Sequence, residues 1–272
     1  VDNTLTIDTH PATWNRVFVA MEYRFGFCIH RSQAMIRHLL SNRLLLLYSP
    51  ATVSDIYPDS VIACPLCQAP QIEHYHSDKR RNYWHCQQCD LVFVDKAQQL
   101  TGDDEKAIYQ QHENGPEDEG YRRFLNRMAV PIQQRLPKGS KGLDFGCGPG
   151  PTLSLMLEEQ GYQMSVYDLY FADHPEVLQQ SYDFITSTEV FEHLADPKTE
   201  LGRLLAILNP GGYLGIMTKR VLNPEAFSRW HYKNDQTHIT FFSENSFHWL
   251  AQRYGLELEI VDNDVVLLRK PL

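Results

Sequence analysis

The chain has no stretch able to span a bilayer: its aliphatic runs, Leu44 to Leu47 among them, are only a few residues long, against the roughly 20 apolar residues a membrane helix needs. It is also short of positive charge. Lys and Arg number 25 against 34 Asp and Glu, a net charge of −9, so non-specific binding to a phosphate backbone is disfavoured. From Leu136 to Leu272 the balance is 11 against 18, or −7, so the same holds there and a small or weakly charged substrate is expected. Cysteine is sparse and uneven. Four of the six form two C-x-x-C pairs, while Cys28 and Cys147 stand alone. Such a pattern is not a disulfide framework, and it points to a reducing compartment, the cytoplasm. The 272 residues suffice for one or two domains with a sizeable core.

What is present centres on Leu143-Asp144-Phe145-Gly146-Cys147-Gly148-Pro149-Gly150. The string reads as a short buried strand, a glycine turn and the start of a helix. A turn without Cβ atoms lets backbone N–H groups approach a ligand, and the helix N-terminus behind it favours negative charge. The dinucleotide fingerprint G-x-G-x-x-G needs a third glycine at 151, where Pro151 stands; the glycines here fall as G-x-G-x-G. The spacing therefore argues against a pyrophosphate site.

The string resembles motif I of the class I S-adenosylmethionine (SAM) methyltransferases, and with an N-terminal four-cysteine element the chain is similar to the ubiquinone-biosynthesis type. The resemblance implies that Gly146, Gly148 and Gly150 line SAM and that Asp144 lies near its amino group. It extends over about Val61 to Lys270. Asp168 stands 22 residues beyond Gly146, at the end of the next strand pattern, where the family uses an acidic residue for the ribose hydroxyls. The fold implied is α/β, a doubly wound Rossmann-like sheet. Between Asp168 and Tyr182 there is little room for the third strand and its helix, so that region is expected to be shortened.

Four segments follow from this reading. Residues 1–60 form an N-terminal extension without an assignable function. Its basic, aliphatic piece Ser32 to Leu47 has some transit-peptide or membrane-surface character but lies far from the terminus; alternatively, translation starts at Met21, Met35 or near Val61. Residues 61–97 read as a zinc ribbon: Cys64 and Cys67, then eighteen residues, then Cys86 and Cys89. Two knuckles so spaced offer four thiolates to a tetrahedral zinc ion. His74, His76 and His85 are substitute ligands at most. The ribbon is either a structural clamp, or a recognition element in which Lys79, Arg80 and Arg81 with Tyr83 and Trp84 hold an anion or nucleic acid. Residues 98–135 form a helical linker or lid containing Tyr121, and residues 136–272 the methyltransferase domain. There, Asn209 to Gly212 make a turn into the fifth strand, Ser243 caps a helix ending at Gly255, and a hairpin closes the sheet.

Glu189, Glu192 and His193 fall at i, i+3 and i+4, so a helix after the fourth strand would place them on one face. His238 precedes the capped helix. In the small-RNA 2′-O-methyltransferases, which this arrangement also resembles, such a set holds a metal that grips substrate hydroxyls. Glu189, Glu192, His193 and His238 are the corresponding candidates here, for Mg²⁺ or Mn²⁺ on oxygen preference and Zn²⁺ or Fe²⁺ on nitrogen. The alternatives are a metal-free centre with His193 as base, assisted by Glu189, or a structural role. His231, within Trp230-His231-Tyr232, is another candidate base. The expected reaction is methyl transfer from SAM to an oxygen of a small hydroxylated substrate. The rivals are C-methylation of a sugar or small molecule, rRNA base methylation, and a non-catalytic zinc-ribbon and SAM-binding module. The oligomeric state does not follow from the sequence.

Overall fold

The computed structural model describes residues 62–111 and 115–272. The extension 1–60 and Cys28 lie outside the described residues. The hairpin Ile72–Ser77 (β1) and Asn82–Cys86 (β2) leads to Val92–Val94 (β3). Two helices follow, Gly102–Tyr109 (α1) and Glu119–Arg135 (α2). Thr101 and Asp118 cap them through side-chain oxygens that accept backbone N–H groups. Then come Lys141–Phe145 (β4), Thr152–Glu159 (α3), Gln163–Tyr167 (β5), Tyr182–Thr188 (β6), Pro197–Ile207 (α4) and Leu208–Met217 (β7). The chain closes with Pro224–Ser228 (α5), Thr240–Phe241 (β8), Glu244–Tyr254 (α6), Glu257–Ile260 (β9) and Val265–Arg269 (β10).

Six strands form the larger sheet in the order β5-β4-β6-β7-β10-β9. β4 pairs in parallel with both β5 and β6, so the chain runs outward to β5 and then returns to the other side of β4. That reversal opens a crevice at the carboxyl ends of the strands, the usual ligand position in such sheets. β10 joins antiparallel to β7 and β9, which gives the expected closing hairpin. The third-strand region is indeed short. Between Tyr167 and Tyr182 there are only an isolated Asp168–Ala172 bridge and a 3-10 turn, Pro175–Gln179, so β5 is an edge. The turn expected at Asn209 to Gly212 is instead an irregularity inside β7: Tyr182 pairs with Leu208 but Phe184 with Tyr213. Gly211, at φ +77°, absorbs the extra residues.

α2 and α3 cover one face of this sheet, where Leu125, Met128, Ile132, Leu153 and Leu157 bury against Phe184, Met217 and Leu267. On the other face the core is shared with the cysteine knuckles: Leu66, Trp84, Leu91 and Phe93 pack in one cluster with Leu143, Ile216, Phe242, Phe247 and Leu250. The hairpin sheet, in the order β1-β2-β3-β8, takes its fourth strand from Thr240–Phe241 near the far end of the chain. A third cluster, Tyr83, Val92, Phe227, Tyr232, Ile239 and Phe241, seals that junction. At roughly 1.5–3 kcal/mol for each fully buried large apolar side chain, these shared contacts are a major part of what holds the hairpin in place. Among the described residues, no helix is long and apolar enough to cross a membrane.

Candidate active site

The glycine loop leaves β4 at Phe145 and turns at once. Gly146 sits at φ +79°, and its N–H donates to the Tyr167 carbonyl at 2.8 Å. A Cβ there would lie 2.4 Å from Val190 Cγ2, so glycine is required for both conformation and space. Gly148, at φ +66°, donates its N–H to Asp168 Oδ2 at 2.9 Å, and a Cβ on it would meet nothing within 4 Å. Asp168 Oδ1 also accepts the N–H groups of Tyr170 and Phe171, at 2.8 and 3.1 Å. The carboxylate that ends β5 is thus held by three amides and ties the loop to its neighbour. Asp144 is buried below, accepting from Thr186 Oγ1 at 2.9 Å; burial, with the charge of Asp168, pushes its pKa up to about 6.

A cavity of about 880 Å³ opens over these groups. Asp144, Gly146, Gly148, Gly150 and Asp168 line it together with Glu189, His193 and His238. The residues fit SAM: acidic groups stand near the glycine loop for its ammonium and ribose, and the open Gly148 backbone gives close approach. Tyr109 of α1 and Tyr121 of α2 form the opposite wall. Glu105 joins α1 to the Asp168 turn, accepting the hydroxyls of Tyr109 at 2.7 Å and Tyr170 at 2.8 Å. Sequence reading missed α1 and Tyr109. The signal was present in Thr101 followed three residues later by Asp104, a capping pattern.

The helix expected after β6 does not form. Glu189 adopts φ +54°, rare for a residue with a side chain, and Phe191–His193 make a single 3-10 turn. Glu189, Glu192 and His193 therefore do not share a helical face; tertiary contacts bring them together. The Tyr232 hydroxyl lies 2.5 Å from Glu192 Oε1 and 3.3 Å from Glu189 Oε2. Glu192 is fully buried and its Oε2 has no hydrogen-bond partner, nor has Glu189 Oε1. Burial and the charge of Glu192 push Glu189 up to about 8.

Both imidazoles are oriented by backbone carbonyls. His193 Nδ1 lies 3.0 Å from the Thr237 carbonyl and His238 Nδ1 2.7 Å from that of Tyr232. A carbonyl only accepts, so each Nδ1 carries a proton, and in the neutral form of each ring Nε2 presents a lone pair. The rings are 4.7 Å apart, and His238 is held below its usual pKa chiefly by burial. One donor atom each of Glu192, His193 and His238 lie within 4.8 Å of one another. Glu189 lies outside that trio. His231 is exposed and does not line the cavity, whereas its neighbour Tyr232 is buried and reaches both carboxylates.

The four cysteines converge, with Cys64 Sγ 3.5 Å from Cys89 Sγ and Cys67 Sγ 3.4 Å from Cys86 Sγ. All four sulfurs lie within 4.8 Å. A tetrahedron of Zn–S bonds of about 2.3 Å has edges near 3.8 Å, so the set fits zinc. The knuckles repeat one turn: Gln68 and Asp90, each following a second cysteine, have φ of +65° and +59°. His74, His76 and His85 stay outside the cluster; His85 bridges Glu73 and Asp90. The set of residues expected for the recognition alternative is only partly at the surface. Arg81, Tyr83 and Trp84 are buried, which leaves Lys79 and Arg80 exposed.

A family model described as a methyltransferase domain matches residues 109–261. The ubiquinone biosynthesis O-methyltransferase of Aeromonas salmonicida (strain A449) is 30% identical over 86 residues, 32% of this chain and 36% of that protein. That of Vibrio atlanticus (strain LGP32) is 31% identical over 77 residues, 28% of this chain and 32% of that one. The chain thus spans about a third of the length of these curated relatives. Among solved structures, a TehB-like SAM-dependent methyltransferase from Corynebacterium glutamicum shares 18% identity at a TM-score of 0.40, over 63% of this chain and all 100% of that one. A protein from Pyrococcus horikoshii OT3 shares 17% at 0.43, over 61% and 99%. At these values it is the strand order, not the likeness, that defines the fold. With the family match extending over more than half of the residues, around a glycine loop and acidic pair suited to SAM, the chain belongs to the methyltransferase domain family, with a four-cysteine cluster ahead of its six-stranded sheet.

Proposed function

We propose that the protein methylates a hydroxyl oxygen of a small substrate, with Glu192, His193 and His238 forming a divalent-cation centre beside the cofactor pocket. The observation that carries this is the trio itself. Two imidazoles with Nδ1 tied to carbonyls, and a fully buried carboxylate with one oxygen unpartnered, converge where His193 and His238 line the cavity. Two carboxylates meeting at one Tyr232 hydroxyl, Glu192 fully buried and Glu189 half-buried, are costly together without a compensating cation. A bound cation would lower the pKa of a substrate hydroxyl and fix its oxygen; SAM supplies the electrophilic methyl group.

The chain's own contributions are distinct. Asp144 and Asp168 hold the two ends of the cofactor, while Gly146 and Gly148 keep space for it. Glu189, half-buried beside the trio and with Oε1 free of other partners, accepts the hydroxyl proton in its ionised form. Tyr109 and Tyr121 wall off water. The orientation of His193, with Nδ1 held by the Thr237 carbonyl, favours a second reading, in which its Nε2 takes the proton without a metal. Four thiols at zinc spacing support a structural zinc ion in the knuckles, and the segments 61–97, 98–135 and 136–272 serve as clamp, lid and catalytic domain. C-methylation fits less well, because a carbon acceptor has no use for a hydroxyl-gripping trio. The burial of Arg81, Tyr83 and Trp84 and the net charge of −9 speak against an rRNA substrate.

Calorimetric titration with S-adenosylhomocysteine tests the cofactor site: micromolar binding is expected, abolished by Gly148→Arg. A panel of catechols and other vicinal hydroxyl compounds then tests the acceptor. EDTA dialysis should reduce transfer at least about tenfold, with recovery on adding Mg²⁺, Mn²⁺ or Zn²⁺. Transfer indifferent to EDTA would leave His193 as base, and a folded protein that ignores S-adenosylhomocysteine would sink the reading of the pocket.

A further inference from the structure

The zinc-ribbon hairpin places one charged side chain deep inside the catalytic half of the molecule. Arg81 follows the β1–β2 turn and is 5% exposed. Its Nη1 donates to the carbonyls of Gln236 at 3.0 Å and His238 at 2.9 Å. Its Nη2 donates to those of Asp235 at 2.9 Å and of Lys233. Four guanidinium bonds thus end on one loop, and all four acceptors are backbone. The carbonyls that orient the imidazoles belong to the same loop: Tyr232 for His238, Thr237 for His193. From Tyr232 to His238, every carbonyl except that of Asn234 points to the guanidinium or to an imidazole.

We propose that Arg81 is the positioning residue of the histidine pair: its planar fork sets the path of residues 233–238, and that path sets the orientation of His193 and His238. The fork is itself fixed from the hairpin. Asp78 Oδ1 accepts the Arg81 N–H at 2.9 Å, and the guanidinium carbon stands 5.4 Å from the centre of the Tyr83 ring. The loop is also pinned at its far end, where β8 pairs with β3 and Ser243 Oγ donates to Asp90 Oδ2 at 2.6 Å, beside the second knuckle. Lysine cannot replace this fork. A single ammonium has three donors on one atom and does not reach four carbonyls in a plane. The ribbon accordingly acts on the reaction through Arg81, without touching substrate. The roles of His193 and His238 in the reaction rest on the function proposed above; the part played by Arg81 in holding them does not.

The test uses the full chain labelled with ¹⁵N in histidine and arginine. In the unmodified protein, NMR should show His193 and His238 as Nδ1–H tautomers and the Arg81 Nη protons protected from exchange. Rapid exchange of those protons overturns the proposal before any variant is made. In Arg81→Lys, both tautomers should become mixed, while zinc content and affinity for S-adenosylhomocysteine stay within about twofold. Tautomers that persist in that variant overturn it. Should Arg81→Lys fail to fold, Arg81→Ala refolded with millimolar guanidinium decides. Recovery of fold and tautomers together supports the proposal; recovery of fold alone, or of neither, overturns it. Intact tautomers in a protein that transfers no methyl group would count against the functional reading of the site and leave Arg81 standing.

Discussion

Two clusters of ligand-type side chains can be compared within this molecule. The four cysteines come from two short knuckles that repeat the same turn, with Gln68 and Asp90 in matching left-handed conformations. Glu192, His193 and His238 come from segments some 45 residues apart, one of them strained at Glu189 and the other wrapped around a guanidinium. The first geometry is encoded locally, and spacing alone reveals it. The second exists only because other parts of the chain force it, and spacing gives a wrong account of how it forms.

The largest effect should come from breaking the local cluster. Cys86→Ser removes one of four converging sulfurs from a knuckle that shares the core with Phe242 and Leu250. Loss of a structural zinc ion should cost on the order of 3 kcal/mol or more, lowering the melting temperature by about 10 °C and emptying the site by metal analysis. An unchanged melt would mean that the thiols hold no ion that matters to the fold.

Next is the glycine loop, whose geometry is local but whose crowding is not. Gly146→Ala forces a Cβ to within 2.4 Å of Val190 and into an unfavourable φ. A loss of about 1–3 kcal/mol in stability is expected, with S-adenosylhomocysteine bound at least about tenfold more weakly by calorimetry. Gly148→Ala, with open space around it, should cost stability only about 1 kcal/mol. Equal costs for the two would refute the crowding argument.

The distant cluster should respond in rate rather than stability. Glu192→Gln retains shape but removes a buried charge, so the melt should hold or rise slightly while methyl transfer drops by about 10²–10³-fold. Cofactor affinity should not change. A variant that loses stability in proportion to rate would make Glu192 a structural residue.

These responses track what the sequence made legible. The knuckles, the glycine loop, Asp168 at the end of its strand, and the alternation of strands and helices follow from local rules of spacing, turn chemistry and periodicity. The shortened third-strand region follows from length alone. Glu189, Glu192 and His193 were found as residues but on a helix that does not exist, because tertiary contacts override the i, i+4 pattern at φ +54°. Arg81 is read from sequence as part of an exposed recognition tip for the same reason: it looks like a surface residue by type, and it is buried by carbonyls more than 150 residues away in sequence. His231 looked as good as Tyr232 in sequence, and only the 3-10 turn His231–Asn234 decides which of the two faces inward.

A modest effect, dependent on pH, is expected where the two regions are joined by charge. Asp78 Oδ1 accepts the N–H groups of Arg80 at 2.8 Å and Arg81 at 2.9 Å, and Oδ2 faces the Tyr83 hydroxyl at 2.8 Å and Lys233 Nζ at 3.5 Å. Burial alone would raise its pKa, but the two amides, the hydroxyl and the Lys233 charge outweigh it and hold the carboxyl well below its ordinary value of 3.8. A depressed folded pKa means that the folded state releases its proton more readily than the unfolded one. The stabilisation is therefore complete above about pH 4 and fades as pH falls through the folded pKa. Asp78→Asn keeps one acceptor and loses the charge, at a cost of about 1–2 kcal/mol at pH 7 by urea denaturation. The gap from the parent protein should narrow at pH 3 and close further towards pH 2. A gap that is constant with pH would show that the shape of the side chain, and not its charge, joins the hairpin to the loop that carries His238.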